Sequence, residues 1–327
     1  MAWITNFSGV KGMDTKLLQL VPEYRDYVWG GQRLRPGTLT AEAWVVYEND
    51  RIVNEALAGK TLGEAAQEVG TALLGENPVR RTGTRFPVLI KLLDCNEWLS
   101  VQVHPNDEQA VRMEGPDQFG KTEAWYILEA QDGAQLVAGV RAGTTADMLA
   151  QSIRTGTIAD HVEYHIIHTG NTIFMPAGTV HALGPGSLVY EVQETSDLTY
   201  RIYDWGRPQR AGRRLHIEQS IAVANPQATG KVQPPVDLQS TDQQRLVQCS
   251  YFTLEILTAQ TAPLNLDTRG QSFHAITLIA GQGALECGDE RITLNQFETA
   301  LVAASARSYQ LRPIGPQGLR ALKSSVE

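Results

Sequence analysis

Hydrophobic and polar residues alternate in short runs along most of the chain, and glycine or proline residues separate many of these runs. A period of two is typical of a strand that buries one face, whereas Gly and Pro favour sharp turns. In the first two thirds of the chain, the pattern predicts strands at residues 86–93, 99–104, 124–128, 135–140, 172–175, 187–192 and 198–203. Many short strands separated by turns indicate an all-β barrel or sandwich.

Three segments instead repeat their apolar residues at helical spacing. They predict helices at residues 61–74, 145–153 and 214–224. Thr61 and Glu64 have the spacing of a capping box, in which each side chain accepts a hydrogen bond at the start of a helix. We therefore expect a β-fold that carries a few helices.

The pattern changes after residue 224. Residues 225–244 are rich in Pro, Gln and Thr and have little apolar periodicity, which predicts a linker or an extended crossing segment. Alternation then resumes and predicts strands at residues 251–258, 274–280, 284–287, 291–294, 301–304 and 309–311. These indicate a second, smaller β-barrel. We expect two domains, residues 1–240 and 241–327, because 327 residues exceed the ~150 of one common domain core.

Composition excludes several classes of protein. The net charge of −8 argues against a nucleic-acid partner, because phosphate backbones need a basic surface. No apolar run approaches the ~20 residues that span a bilayer, and the first twelve residues lack the charged start and apolar run of a signal peptide. The three cysteines, Cys95, Cys249 and Cys287, are far apart, which favours free thiols over disulfides. We therefore expect a cytoplasmic protein with no membrane or nucleic-acid partner and a loosely ordered extension before Met13.

One stretch delivers a histidine to a barrel mouth. Residues 170–181 (GNTIFMPAGTVH) predict a strand, a sharp reversal at Pro176 and Gly178, and a second strand that begins with His181. Proline fixes φ and glycine tolerates positive φ, so both suit the reversal. A single histidine in a strand is more often structural than functional, so His181 alone predicts no site.

A second polar group lies upstream. In the strand predicted at 99–104, two valines face one way and Gln102 and His104 face the other. An amide beside an imidazole makes a poor core, because buried polar groups need partners. Glu123 opens the next predicted strand, and His181 adds a second imidazole. These four N and O donors, without a thiolate, predict a catalytic metal site. The spacing does not distinguish zinc from iron, manganese or nickel, and a hydrogen-bonded polar cluster is the alternative.

Four separated motifs, in order, resemble a known family. They are LSVQVHP at 99–105, GKTEAW at 120–125, MPAGTVHA at 175–182 and YRIYDW at 200–205. Together they are similar to the type I phosphomannose isomerases, in the short bacterial form. Milder matches occur at 27–31 and 58–62, and the resemblance covers most of residues 1–220 and is weak beyond them.

The resemblance implies a mainly β fold with two cupin-like (jelly-roll) barrels and a few inserted helices. The domain at 1–240 is then the metal-binding catalytic domain, and the small barrel at 241–327 has no metal site. The resemblance also implies one Zn²⁺ per chain, with Gln102, His104 and Glu123 as ligands together with His181.

The activity implied by the resemblance is the interconversion of D-mannose 6-phosphate and D-fructose 6-phosphate. A proton moves between C1 and C2 through a cis-enediol, and a bound dication stabilises the charge on its oxygens. The resemblance places Lys121, Glu191 and Arg201 among the catalytic residues, and the base is either Lys121 or Glu191. The implied partner is a small sugar phosphate, and the chain is a monomer or a homodimer.

Three further residues are expected to bind the substrate: Trp29, Lys91 and Ser100, of which Lys91 matches an active-site position of the family. Lys91 lies inside an apolar run, so it needs an anionic partner or a wet pocket. The alternatives are a solvated loop for Lys121 and an ion pair of purely structural importance between Glu191 and Arg201.

Several polar residues are expected to have no part in the site. The histidines at 161, 165 and 168 are expected to be structural or exposed, as is His274 in the second barrel. Glu194 and Asp197 are expected to serve as turn and cap residues. Two other functions stay open: another metal-dependent cupin enzyme, and a non-catalytic relative that binds sugar phosphates.

Overall fold

Antiparallel strands make up most of the regular structure in the computed structural model, which describes residues 14–208, 213–238 and 242–327. The earlier strands are β1 (Leu17–Gln19), β2 (Glu23–Arg25), β3 (Glu42–Val46), β4 (Val88–Cys95), β5 (Val101–Val103), β6 (Glu123–Ala130), β7 (Gln135–Val140), β8 (Val162–Ile166), β9 (Thr172–Met175) and β10 (His181–Leu183). The later strands are β11 (Ser187–Glu194), β12 (Tyr200–Tyr203), β13 (Lys231–Gln233), β14 (Gln243–Gln248), β15 (Thr253–Ala259), β16 (Leu264–Asp267), β17 (His274–Cys287), β18 (Glu290–Leu294), β19 (Thr299–Val302) and β20 (Ser308–Ser325). The prediction of a mainly β fold is confirmed.

Short α-helices lie between the strands. They are α1 (Leu62–Val69), α2 (Thr71–Leu74), α3 (Glu76–Thr82), α4 (Asp107–Glu114), α5 (Ala146–Thr155) and α6 (Ile217–Val223). The helix predicted at 61–74 forms as α1 and α2, because Gly70 has a φ of +51° and interrupts the helix between them. Thr61 and Glu64 make the predicted capping box. In the described residues, no helix is long and apolar enough to cross a membrane.

The described residues form two compact units. Unit A comprises residues 23–44 and 88–237, and unit B comprises the described parts of residues 1–22, 45–87 and 238–327. Residues near the amino end belong to unit B because β1 pairs with β19, with Leu17 opposite Val302. The division into domains at 1–240 and 241–327 stays a prediction. The two compact units are instead defined by contacts between segments that are distant in the sequence. The extension predicted before Met13 lies outside the described residues.

Unit A is built from two antiparallel sheets. One has the strand order β12-β5-β10-β7-β8, and the other has the order β13-β9-β6-β11-β4-β3-β2. Their inner faces share one apolar cluster, in which Trp125 and Val189 of the larger sheet join Leu136 and Leu183 of the smaller. This packing leaves the polar residues of the same inner faces next to one another.

Helices cover the outer face of the smaller sheet. Val101 and Val103 of β5 pack there with Leu149 of α5 and Val223 of α6. The predicted division of this strand is therefore confirmed, with its valines outside. The segment predicted as a linker or an extended crossing segment contains β13, whose Lys231 pairs with Phe174 of β9.

Unit B contains a sheet of the order β1-β19-β17-β20-β15-β14, with β16 on β20 and β18 on β17. The strands predicted at 274–280 and 284–287 form the single strand β17, because Gly281 takes a φ of +75° and lets the register shift against β20. His274 lies in this unit, and its Nδ1 is 2.7 Å from the hydroxyl of buried Tyr309.

Candidate functional site

A cavity of about 490 Å³ lies in unit A and is lined by residues of both sheets. Seven of the residues singled out from the sequence line it: Trp29, Lys91, Ser100, Gln102, Lys121, Glu191 and Arg201. The other three, His104, Glu123 and His181, are at most 1 % exposed. The structure therefore gathers the predicted binding and catalytic residues in or directly behind the lining of one cavity.

Strand register explains this convergence. In the smaller sheet, Gln102 of β5 lies opposite both His181 of β10 and Arg201 of β12. In the larger sheet, Glu191 of β11 lies opposite both Lys91 of β4 and Trp125 of β6. Because opposite residues of an antiparallel sheet share a face, each sheet presents one polar row to the cavity.

The turn before His181 forms as predicted. Strand β9 ends at Met175 and β10 begins at His181. Gly178 has a φ of +84°, a conformation that favours glycine, and its N–H donates to the carbonyl of His104 at 2.8 Å. This hydrogen bond therefore joins the turn before His181 to the segment that carries His104.

Glu123 and two histidines form a buried triad. The Nε2 atoms of His181 and His104 lie 3.0 Å and 3.5 Å from Glu123 Oε1. One ligand atom from each residue lies within 4.8 Å of the others, so the three could hold one metal ion.

Backbone carbonyls set the direction of both imidazole rings. His104 Nδ1 is 2.8 Å from the carbonyl oxygen of Leu198, and His181 Nδ1 is 2.8 Å from that of Thr179. A carbonyl only accepts, so each Nδ1 carries a proton, and each Nε2 atom faces Glu123.

The same arrangement tests whether a cation fits. Within the described residues, neither oxygen of Glu123 makes a well-aligned hydrogen bond. Two Nε2 atoms and a buried carboxylate therefore converge on one point, where a bound cation would join Lys121 in balancing the carboxylate charge. Two imidazoles and a carboxylate are a donor set that suits Zn²⁺ among other divalent metals.

Charge supports this donor set. Burial alone would raise the pKa of Glu123, but the positive charge of Lys121, above all, holds it well below its usual range. Burial, followed by the charge of Lys121, lowers the pKa of His104 to about 3. At neutral pH the triad therefore offers an ionised carboxylate with a neutral His104, the forms that bind metals.

Gln102 and Lys121 flank the triad. The amide nitrogen of Gln102 is 3.3 Å from His181 Nε2, and a half-turn of the amide would present its oxygen instead. Lys121 Nζ lies 3.1 Å from Glu123 Oε2 and 3.3 Å from His104 Nε2. Lys121 is 3 % exposed, so it is not a solvated loop lysine.

Lys91 and Glu191 form a buried ion pair, with Nζ 3.2 Å from Oε1. Burial alone would lower the pKa of Lys91, but Glu191 and then Glu42 raise it above its ordinary value. Burial and the nearby Glu123 raise the pKa of Glu191, whose second oxygen accepts from Trp125 Nε1 at 2.9 Å. Glu191 is therefore the anionic partner that a lysine inside an apolar run needs.

Arg201 lies on the opposite sheet. Its Nε donates to Ser100 Oγ at 3.2 Å, and one terminal nitrogen donates to the carbonyl of Arg214 at 3.2 Å. Burial, followed by the charge of Arg213, lowers the pKa of Arg201. Two guanidinium groups therefore share this end of the cavity.

Sequence reasoning missed several cavity residues, among them Glu42, Arg213 and His216. Glu42 was detectable, because it is a charged residue inside a buried strand, as Lys91 is. Arg213 and His216 had no such signal. Asp197, expected in a turn, also lines the cavity.

Glu194 supports the site from behind. Its Oε1 accepts from the N–H of Thr122 at 2.8 Å, so it holds the segment that carries Lys121 and Glu123. The histidines at 161, 165 and 168 lie in or beside β8 and are half-buried or exposed, away from the cavity lining.

Sequence comparisons with known proteins point to one family. Residues 17–129 match the model of the type I phosphomannose isomerase catalytic domain. Over 304 residues, the chain is 33 % identical to a mannose-6-phosphate isomerase of Streptococcus mutans, covering 86 % of this chain and 91 % of that protein. Over 234 residues it is 38 % identical to the probable mannose-6-phosphate isomerase GmuF of Bacillus subtilis, covering 68 % and 72 %.

Solved structures agree on the fold. The crystal structure of a mannose 6-phosphate isomerase from Bacillus subtilis superposes with a TM-score of 0.83 at 28 % identity, covering 96 % of this chain and all of that one. A zinc-bound mannose 6-phosphate isomerase has a TM-score of 0.75 at 18 % identity, covering 96 % and 100 %, and shows the fold alone. The expected cupin-like architecture is thus confirmed, and the chain belongs to the type I phosphomannose isomerase family.

Proposed function

We propose that the protein is a metal-dependent isomerase that interconverts D-mannose 6-phosphate and D-fructose 6-phosphate. The observation that carries this proposal is the buried triad of His104, Glu123 and His181, with Lys121 between it and the cavity. Its relatives carry the name of this activity.

The proposed cofactor is one Zn²⁺ per chain, held by the triad and by Gln102 as the fourth ligand. When bound, the ion supplies a positive charge beside the C1 and C2 oxygens of the open sugar. The cation fit described above supports this assignment, and Gln102 reaches the same point after a half-turn of its amide.

Lys121 and Glu191 are the proposed acid–base groups. Aldose–ketose isomerisation removes a proton from C2 and returns it to C1 on the same face, which one positioned base can do, while a second proton moves from the C2 hydroxyl to the C1 oxygen. Lys121 Nζ contacts two residues of the triad, so it would lie next to the reacting carbons of a sugar bound there. Glu191 has a raised pKa and faces the same cavity, so it can carry a proton nearer neutral pH than an exposed carboxyl can.

Other cavity residues are proposed to bind the rest of the sugar phosphate. Arg201 and Ser100 form one hydrogen-bonded group on the smaller sheet, and guanidinium groups bind phosphate and sugar oxygens well. Lys91 lies on the larger sheet and stays charged. Trp29 is 3 % exposed and supplies an apolar wall. The cytoplasmic location and the monomeric or homodimeric state stay predictions.

The test is a coupled assay for fructose 6-phosphate formed from mannose 6-phosphate, before chelation, after chelation and after zinc is returned. We expect turnover to disappear with the chelator and to return with zinc. An unchanged rate after complete metal removal would contradict the metal dependence. Absence of turnover in zinc-loaded protein would instead favour another metal-dependent cupin enzyme, or a non-catalytic protein that binds sugar phosphates.

A further inference from the structure

Arg213 lines the cavity although no sequence motif identifies it. It lies between β12 and α6, and the segment that follows is tied to Arg201 in three places. The N–H of Arg201 donates to His216 Nδ1 at 3.1 Å, and the N–H of His216 donates to the carbonyl of Arg201 at 2.8 Å. The Arg201 guanidinium also donates to the carbonyl of Arg214. Arg213 is therefore fixed close to Arg201.

Asp204 holds the Arg213 side chain. Arg213 Nε donates to Asp204 Oδ2 at 2.9 Å, and Nη2 donates to Oδ1 at 2.5 Å. Asp204 is 5 % exposed, and its Oδ1 also accepts from Arg207 at 3.2 Å. Within the described residues, the third nitrogen of Arg213, Nη1, donates to no protein atom. Asp204 thus orients the Arg213 guanidinium through its Nε and Nη2 atoms, and the N–H groups of Nη1 remain available to a ligand.

The charges leave this end of the cavity positive. Arg207 and Arg213 share Asp204, Arg207 also pairs with Glu97 at 2.7 Å, and Arg201 adds a third positive charge nearby, so three arginines face two carboxylates. Each of the two lysines that line the cavity instead has a buried carboxylate of its own: Lys91 pairs with Glu191 and Lys121 with Glu123. The arginine end therefore attracts a dianion more strongly than the lysine positions do.

The arginine end is also displaced from the triad. Arg201 lies opposite Gln102, which lies opposite His181, so two strand spacings separate Arg201 from His181, about 10 Å between backbones. An open six-carbon sugar has its phosphate at the end opposite the C1–C2 bond. If C1 and C2 lie at the triad, the phosphate extends towards the arginines.

We infer that Arg213 binds the phosphate of the substrate and makes the site select phosphorylated over neutral sugars, with Asp204 as the positioning residue that aims it. The inference rests on the proposed function, because it assumes that the C1–C2 end of a sugar phosphate lies at the triad. It assigns the two residues separate parts: Arg213 contacts the ligand, and Asp204 acts through Arg213.

The test compares Arg213→Gln with Arg207→Gln. Both variants lose an arginine that bonds to Asp204, but Arg207 does not line the cavity. Affinities for fructose 6-phosphate and for inorganic phosphate are measured by calorimetry, with zinc content and melting temperature determined for each variant. We expect Arg213→Gln to weaken both affinities by about tenfold or more, the scale of lost hydrogen bonds to a charged group. Arg207→Gln should change them by less than about threefold.

Kinetics then separate binding from chemistry. Arg213→Gln should raise the KM for mannose 6-phosphate about tenfold and leave kcat within about threefold, because the phosphate is bound equally before and during proton transfer. Arg213→Lys should restore part of the loss. Asp204→Asn should raise KM less than Arg213→Gln does, since Arg213 remains but is held less firmly.

The outcomes distinguish this inference from the proposed function. Wild-type protein that binds fructose 6-phosphate through Arg213 without turning it over would overturn the function and keep the inference. Normal turnover with unchanged affinities in Arg213→Gln would overturn the inference and keep the function. Equal losses in Arg207→Gln and Arg213→Gln, or a fall in kcat without a rise in KM, would also overturn it, since either points to structural disturbance.

Discussion

Replacement of Lys91 by methionine tests how the buried ion pair contributes to stability. Methionine has a similar length but no charge, so Glu191 would keep the hydrogen bond from Trp125 but lose its ion-pair partner. At the observed 3.2 Å, the attraction that is lost is about 5 kcal/mol for an effective dielectric constant of ~20. Removing one partner of a buried ion pair usually lowers the free energy of unfolding by about 3–5 kcal/mol.

Protonation of Glu191 limits this penalty. In the variant, burial holds the pKa of Glu191 above its unfolded value, so the folded state binds more protons and loses stability as the pH rises. Protonation of Glu191 costs at most about 1.4 kcal/mol for each unit by which the pH exceeds ~4.3, the ordinary pKa of a glutamate. We therefore expect Lys91→Met to lose about 1 kcal/mol at pH 5 and about 3–5 kcal/mol at pH 8, relative to wild type at the same pH.

The assay is urea denaturation followed by tryptophan fluorescence at the two pH values, since Trp44 and Trp125 both contact the pair. Lys91→Met/Glu191→Gln should recover most of the loss at pH 8, because no unpaired charge remains. Lys231→Met, at an exposed lysine of the same unit, should change stability by less than about 0.5 kcal/mol. A loss independent of pH, or a double variant as unstable as the single one, would refute the reasoning.

Three further changes have distinct expected results. His104→Ala should lose bound metal and turnover together, as elemental analysis and the coupled assay would show; retained zinc with full activity would remove it from the ligand set. Lys121→Met should keep zinc and KM while kcat falls about 10²-fold or more, the scale of lost acid–base catalysis. Thr61→Ala should lower the free energy of unfolding by about 1 kcal/mol through the lost helix cap and leave kcat unchanged, checked by denaturation and kinetics.

Local patterns in the sequence predicted what local geometry decides. Alternation assigned Gln102 to the face opposite the valines of its strand, and a Pro and Gly pair predicted the turn that precedes His181. The facing of Gln102 and the turn before His181 both depend on residues only a few positions away, so they can be predicted from one sequence.

Contacts between distant segments were not predictable in the same way. Arg213 enters the site only because the segment after it pairs with Arg201, and Leu17 joins unit B through a strand near the other end of the chain. The strand β13 was missed because its short run, exposed at both ends, has no periodicity of its own. Its formation depends on the free edge that β9 offers.

The three residues of the triad come from two facing sheets. Glu123 belongs to the larger sheet, whereas His181 begins a strand of the smaller one and His104 follows another. A cation bound there would act as a cross-link between the two layers, much as a disulfide joins the sheets of other β-sandwiches. Occupancy would then be measurable as mechanical and thermal resistance of unit A, rising with the logarithm of free metal concentration above its dissociation constant. Loss of the ion would loosen the layers before any chemistry is attempted.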